Sequence, residues 1–181
     1  TKGYYHRNLP HFDFNGLCQM ITYRLNDSLP REILEKQILK NEDDSEKRAL
    51  VEKYLDEGHG SCLLTKYLQV ANLVIENWKN FDNQKYDLIA FVVMPNHVHI
   101  LIKIFEGIPL KNILHSWKSY TSHKFKHYCN SESVPNWQSE YWDRYIRDEN
   151  HFFQTIEYIL QNPVKANLCK QPEDWPYSFP H

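Results

Sequence analysis

Two histidines separated by one residue interrupt an otherwise apolar run, Met94-Pro95-Asn96-His97-Val98-His99-Ile100-Leu101. In an extended strand alternate side chains leave the same face, so His97 and His99 point one way and Val98 the other. An apolar strand does not need two imidazoles for packing, and two side by side supply half of a metal site. The rest can come from Ile156-Glu157-Tyr158-Ile159-Leu160-Gln161-Asn162-Pro163, where Tyr158 and Asn162 are four apart and share a helix face. Asn162 offers an amide oxygen to a metal. Tyr158 offers a phenol, which can act as a nucleophile and form a covalent intermediate. Two imidazole nitrogens and one amide oxygen leave about three positions of an octahedron for water or a phosphate oxygen, beside the phenol. Imidazole favours transition metals and oxygen favours Mg²⁺ or Mn²⁺, so the donor set does not select the ion.

Blander roles exist for each residue. The histidines could be satisfied strand residues, and Tyr158 could pack on the sheet. Asn162 could be a helix C-cap, because a residue before proline is steered away from helical geometry. Tyr120, in a lysine-bearing segment, is the rival nucleophile.

The elements that must carry these groups follow from periodicity. Residues 86–94 read as an apolar strand, Pro95-Asn96 as a tight turn and residues 97–104 as the next strand, which together make a hairpin. Residues 16–25 alternate as an earlier strand and residues 140–147 as a later one. A helix over residues 65–78 is expected, with Thr65 as cap and Leu68, Ala71, Val74, Ile75 and Trp78 on one stripe. Two more are expected, over residues 110–128 and from a cap at 148–150 to about Gln161, with Pro163 as the stop. Residues 31–57 read as two helices or one interrupted helix within an insertion spanning 31–60. Residues 1–15 read as irregular, and the segment after Pro163 reads as a surface tail. Without the insertion the order is βαββαβ plus a final helix. The expected fold is α+β: a ferredoxin-like antiparallel sheet with helices on one face, an inserted helical segment after the first strand and a C-terminal helix bearing Tyr158. No repeat or linker divides the sequence, so a single domain over residues 1–181 is expected.

Bulk composition narrows the partners. A net charge of −2 argues against a general polyanion binder, but residues 111–128 hold Lys111, Lys118, Lys124 and Lys126 and no acid. The aromatic content of 14% fits a dense core or stacking platforms for unpaired bases. The cysteines (18, 62, 129 and 169) form no CxxC pair and read as reduced thiols. No apolar run approaches the roughly 20 residues of a membrane span, and the N-terminal residues lack a signal-like apolar stretch. A cytoplasmic, nucleoid-associated protein that does not enter a membrane is the expectation.

The residues around these groups carry a specific resemblance. Met94–Leu101 resembles the HUH motif of single-tyrosine transposases, in which a bulky apolar residue separates two histidines. Tyr158-Ile-Leu-Gln-Asn162-Pro163-Val164-Lys165-Ala166 resembles the catalytic-helix signature of the REP-associated tyrosine transposases. Trp117-Lys118-Ser119-Tyr120-Thr121, Trp142-Asp143-Arg144-Tyr145-Ile146-Arg147-Asp148-Glu149 and Tyr5-His6-Arg7-Asn8-Leu9-Pro10-His11-Phe12 are also similar to that family, so the likeness covers essentially the whole chain. It implies a metal-dependent single-stranded DNA endonuclease and strand transferase, acting on palindromic hairpins through a covalent 5′-phosphotyrosine. Carried over, His97, His99 and Asn162 are ligands of a divalent metal, Mg²⁺ or Mn²⁺, and Tyr158 is the nucleophile. Single-stranded or hairpin DNA is the implied partner, with Lys111, Lys118, Lys124, Lys126, Arg144, Arg147 and Arg7 as candidate contacts. The alternative is a domesticated module that binds hairpin DNA without cutting it. The resemblance leaves both a monomer and a homodimer open.

Overall fold

The computed structural model describes residues 4–7, 9–12, 18–35, 43–129 and 134–180, the first two stretches as backbone only. The expected hairpin is present. Strand β4 (Tyr86–Val93) turns through residues 94–96 into β5 (His97–Ile104), with Val93 opposite Val98. The Met94 N–H closes the turn on the His97 carbonyl at 2.9 Å. On the other side β5 pairs with β3 (Cys18–Arg24), which pairs in turn with β6 (Trp142–Tyr145). Every pairing in this sheet is antiparallel, and with a short β7 (Ser178–Phe179) at the far edge the order β6-β3-β5-β4-β7 puts the histidine strand in the middle. Its first four strands follow the ferredoxin-like arrangement.

The two sheet faces have different coverings because side chains alternate. On one face Ile21, Tyr23, Phe91, Val93, Val98, Ile100 and Ile102 pack under α4 (Leu68–Lys79) and α5 (Leu110–Tyr128). Much of the aromatic content is there. Trp78 and Trp117 are fully buried and meet at 6.1 Å, and Trp78 Nε1 donates to the Tyr23 hydroxyl at 2.9 Å. Tyr86 donates to the Trp78 carbonyl and accepts from Trp117 Nε1, so no polar tip in this cluster of rings is left dry and unpaired. On the other face Ala90, Val92, Met94 and Leu101 meet Ile159 of α6 (Glu149–Lys165), with Met20 beside them. The helix that carries Tyr158 is therefore laid over the histidine face.

Several boundaries differ from the sequence expectations. The N-terminal stretch is not irregular: β1 (Tyr4–Arg7) and β2 (Leu9–Phe12) form a second, two-stranded sheet. Thr65 does not cap the long helix. It lies inside a short helix, α3 (Leu63–Lys66), and Tyr67 adopts an extended conformation that separates α3 from α4. Leu68 then falls at the exposed start of α4, 57% accessible, and Val70 takes its place in the core. The described part of the segment before α3 holds α1 (Arg31–Ile33) and α2 (Asp44–Asp56), the latter capped by the Asp43 carboxylate, and residues 36–42 lie outside the described residues. The later strand is shorter than residues 140–147, and the supposed tail supplies β7 (Ser178–Phe179), a fifth strand on the free edge of β4.

Pro163 does not stop α6, which runs on to Lys165. Proline removes one hydrogen bond near a helix end, where little helix is left to lose. The stop is Asn167, which takes the left-handed conformation (φ 56°). The Leu168 N–H reaches the Pro163 carbonyl and the Asn167 N–H reaches the Val164 carbonyl, the paired bonds of a Schellman cap.

Candidate active site

The histidines sit on the central strand, 1% accessible each, with ring centroids 4.9 Å apart. Each is held at Nδ1. His97 Nδ1 lies 2.8 Å from Asn96 Oδ1, and the Asn96 amide group donates to the His59 carbonyl at 3.0 Å. The Asn96 orientation is thereby set, its oxygen accepts, and His97 must donate from Nδ1. That leaves Nε2 with its lone pair. His99 Nδ1 lies 2.7 Å from the Thr22 hydroxyl, because the sheet register sets Thr22 directly opposite His99. A hydroxyl can take either role, so His99 can also present a bare Nε2. Burial holds both imidazoles below their ordinary pKa, His97 well below and His99 down to about 3. Both are neutral at pH 7, the state in which imidazole binds a metal.

Helix α6 brings the other half. The Tyr158 ring meets the edge of His99 with centroids 5.5 Å apart. Asn162 is buried one turn on, its amide donates to the Tyr158 backbone carbonyl at 3.3 Å, and its side chain lies against both His99 and the Tyr158 phenol. Asn162 is thus neither a solvent-facing cap nor turned away by the following proline, since packing on the sheet keeps it helical. Burial, followed by the charge of Glu52, pushes the Tyr158 phenol well above its ordinary pKa. The Lys165 ammonium lies 4.7 Å from the centre of the Tyr158 ring. Tyr120, the rival, is 49% accessible on α5, across the sheet from the histidines.

The donor set fits a divalent ion. With both Nδ1 atoms engaged, the two Nε2 atoms are the positions left to coordinate, and Asn162, already in contact with His99, supplies an oxygen-bearing side chain beside them. Among the described residues no group of three or more His, Cys, Asp or Glu could hold a metal, so a third protein ligand here has to be of another type, as Asn162 is.

The candidate DNA contacts fall into separate places. Arg144 is exposed on β6 and lines a cavity of about 180 Å³ with Arg48, Glu52, His151, Thr155 and Tyr158. Arg147 is exposed at the start of the turn into α6. Lys111, Lys124 and Lys126 lie on α5, over the opposite sheet face. Lys118 is engaged internally: its ammonium donates to the carbonyls of Gln138 at 2.8 Å and Ser139 at 3.1 Å, and burial lowers its pKa to about 8. Arg7 ends β1, and its side chain lies outside the described residues.

Sequence reasoning missed four supporting residues. Asn96 lay in the quoted motif but was read as a turn. Thr22 required the strand register. Glu52 lay in the segment read as an insertion. Lys165 could have been found, because it is seven residues after Tyr158 and so on the same helix face.

A sheet of this order, with paired histidines on its central strand facing a helix-borne tyrosine, defines the class of protein. The family model described as "Transposase IS200 like" matches residues 68–162, just over half of the chain, and the chain belongs to that family. It is 29% identical over 119 residues to the REP-associated tyrosine transposase of Escherichia coli (strain K12), covering 66% of this chain and 67% of that protein. An uncharacterized protein of Haemophilus influenzae is 32% identical over 122 residues, covering 52% of this chain and 65% of its own length. The chain thus spans about two thirds of these curated relatives. A solved structure of a REP-associated tyrosine transposase bound to a REP hairpin shares the fold, with a TM-score of 0.60 at 22% identity, covering 96% of this chain and 82% of that one. Among the described residues no helix is long and apolar enough to cross a membrane.

Proposed function

We propose that this chain is a metal-dependent single-stranded DNA endonuclease and strand transferase that acts on hairpin DNA through a covalent tyrosine intermediate. The observation that carries this reading is the contact of Tyr158 and Asn162 with His99, two elements remote in sequence meeting at one point. The hairpin-bound structural neighbour and the REP-associated relative support hairpin DNA as the substrate class. His97, His99 and Asn162 would hold a divalent ion, Mg²⁺ or Mn²⁺, whose contribution when bound is Lewis-acid polarisation of the scissile phosphate. Asn96 and Thr22 hold the two imidazoles in the required orientation.

The Tyr158 hydroxyl attacks the phosphorus. The new tyrosine O–P bond forms to the 5′ side as the P–O3′ bond breaks; the phenolic proton is given up to water and the 3′ oxygen takes one from water, leaving as a hydroxyl. One phosphodiester replaces another, so rejoining needs no nucleotide cofactor. Arg144 and Arg147, on the Tyr158 side of the sheet, are the nearest candidates for backbone phosphates. Lys111, Lys124 and Lys126 would serve DNA passing over α5. The whole of residues 1–181 is taken as one domain for this activity, with residues 31–60 inserted.

The test is incubation of single-stranded hairpins with protein and Mg²⁺ or Mn²⁺, read on a denaturing gel. The wild type gives a shifted covalent band. Tyr158→Phe gives none while hairpin affinity stays within about twofold, because only one hydroxyl is lost. An undiminished band from Tyr158→Phe would refute the assignment. Tight hairpin binding by the wild type with no band at any metal concentration would favour the binding-module alternative.

A further inference from the structure

We propose that Glu52, on a helix outside the residues matched by the family model, is the residue that positions the Tyr158 hydroxyl for attack. The proposal rests on Tyr158 being the nucleophile. Helix α2 is held beside β6 through Val51 and Leu55, which pack with Leu29 and Trp142. Arg48 and Glu52, one turn apart on it, face the same cavity as Tyr158 and Thr155 of α6. Across that cavity the Glu52 carboxylate faces the Tyr158 phenol as the acceptor for its hydroxyl, while the Asn162 amide, which donates to the Tyr158 backbone carbonyl at 3.3 Å, lies on the other side of the phenolic oxygen.

The two contacts have opposite sense, and that matters for geometry. A phenolic O–H turns about its C–O bond and carries its lone pairs round with it. Here the proton is directed at Glu52 and one lone pair at Asn162, so the remaining lone pair is the one presented to an incoming phosphorus. The edge contact with His99 and the Lys165 ammonium over the ring hold the ring plane, but neither controls rotation of the hydroxyl. Asn162 is committed to His99 as well, so Glu52 is the group whose contact in this site is to the nucleophile alone among the two. A misplaced nucleophile loses rate without losing substrate, because near-attack geometry tolerates displacements of only about 1 Å.

The experiment compares Glu52→Ala, Glu52→Gln and Tyr158→Phe in full-length protein, with hairpin DNA and Mg²⁺, by adduct-formation rate and hairpin affinity. A glutamine oxygen still accepts the hydroxyl. Glu52→Gln is therefore expected to keep the adduct rate within about threefold of wild type, a change worth under a kcal/mol of barrier. Glu52→Ala is expected to slow it on the order of 10- to 100-fold at unchanged hairpin affinity. A Glu52→Ala variant as fast as wild type overturns the proposal. So does a Glu52→Gln variant as slow as Glu52→Ala, which would assign the effect to the carboxylate charge. Loss of hairpin binding together with thermal stability in Glu52→Ala also overturns it, because that is the signature of a purely structural helix contact. An adduct formed by Tyr158→Phe is the distinct failure of the nucleophile assignment, and the proposal falls with it.

Discussion

The two buried histidines make stability depend on pH in a direction the site dictates. His99 titrates near 3 in the folded protein because burial disfavours its charged form, against about 6.5 in the unfolded chain. A group whose folded pKa is depressed stabilises the fold fully above its unfolded pKa, and that contribution is lost as pH falls below about 6.5. At pH 5 the unfolded chain is about 1.5 units below that value, so at roughly 1.4 kcal/mol per unit His99 alone removes about 2 kcal/mol. For a chain of this length that corresponds to a fall in Tm of about 4–8 °C. His97 is depressed by the same cause and acts in the same sense. Asp56 acts oppositely: burial raises its carboxyl to about 6, so its penalty is relieved as pH drops through that value. The clean measurement is thus a difference. Thermal denaturation by circular dichroism, from pH 7.5 to 5 in chelator, should show the wild type losing about 4–8 °C more than His99→Gln. Parallel curves for the two proteins would refute the reasoning, since His99 would then be hydrated and the site open. A steeper loss in the variant would refute it as well.

Two further outcomes test the supporting structure. Trp78→Ala empties the centre of the α4–α5 face, where the indole is fully buried and donates to Tyr23, and should cost about 3–5 kcal/mol in urea denaturation. A cost below 1 kcal/mol would mean that this face repacks freely. Lys118→Met removes the ammonium that binds the Gln138 and Ser139 carbonyls, and should cost about 1.5–3 kcal/mol and speed amide exchange through residues 134–141. The salt dependence of hairpin binding should stay the same. A salt slope lower by about one would instead make Lys118 a phosphate contact.

Legibility followed the range of the interactions involved. Strand β5 and helix α5 have the bounds read from periodicity, because a long amphipathic or apolar run carries its own signal. The misses lie where a distant partner outweighs local preference. Tyr67 breaks the helix that Thr65 was expected to start, and its extended backbone sends Leu68 outward. Ser178–Phe179 is too short to announce itself as a strand and forms on the edge that β4 offers. Pro163 is tolerated because the helix ends soon afterwards on a left-handed Asn167.

The chemistry divides along the same line. Sequence alone determined that His97 and His99 share a face and that Tyr158 and Asn162 share another, because periods of 2 and 3.6 are properties of the backbone. Family membership was legible there too, since its motifs are short contiguous runs. Only the tertiary structure decided that these two faces meet, that Thr22 stands opposite His99, and that α2 brings Glu52 to the cavity of Tyr158. Those facts depend on register and on packing between segments far apart in the chain, and no local period encodes either.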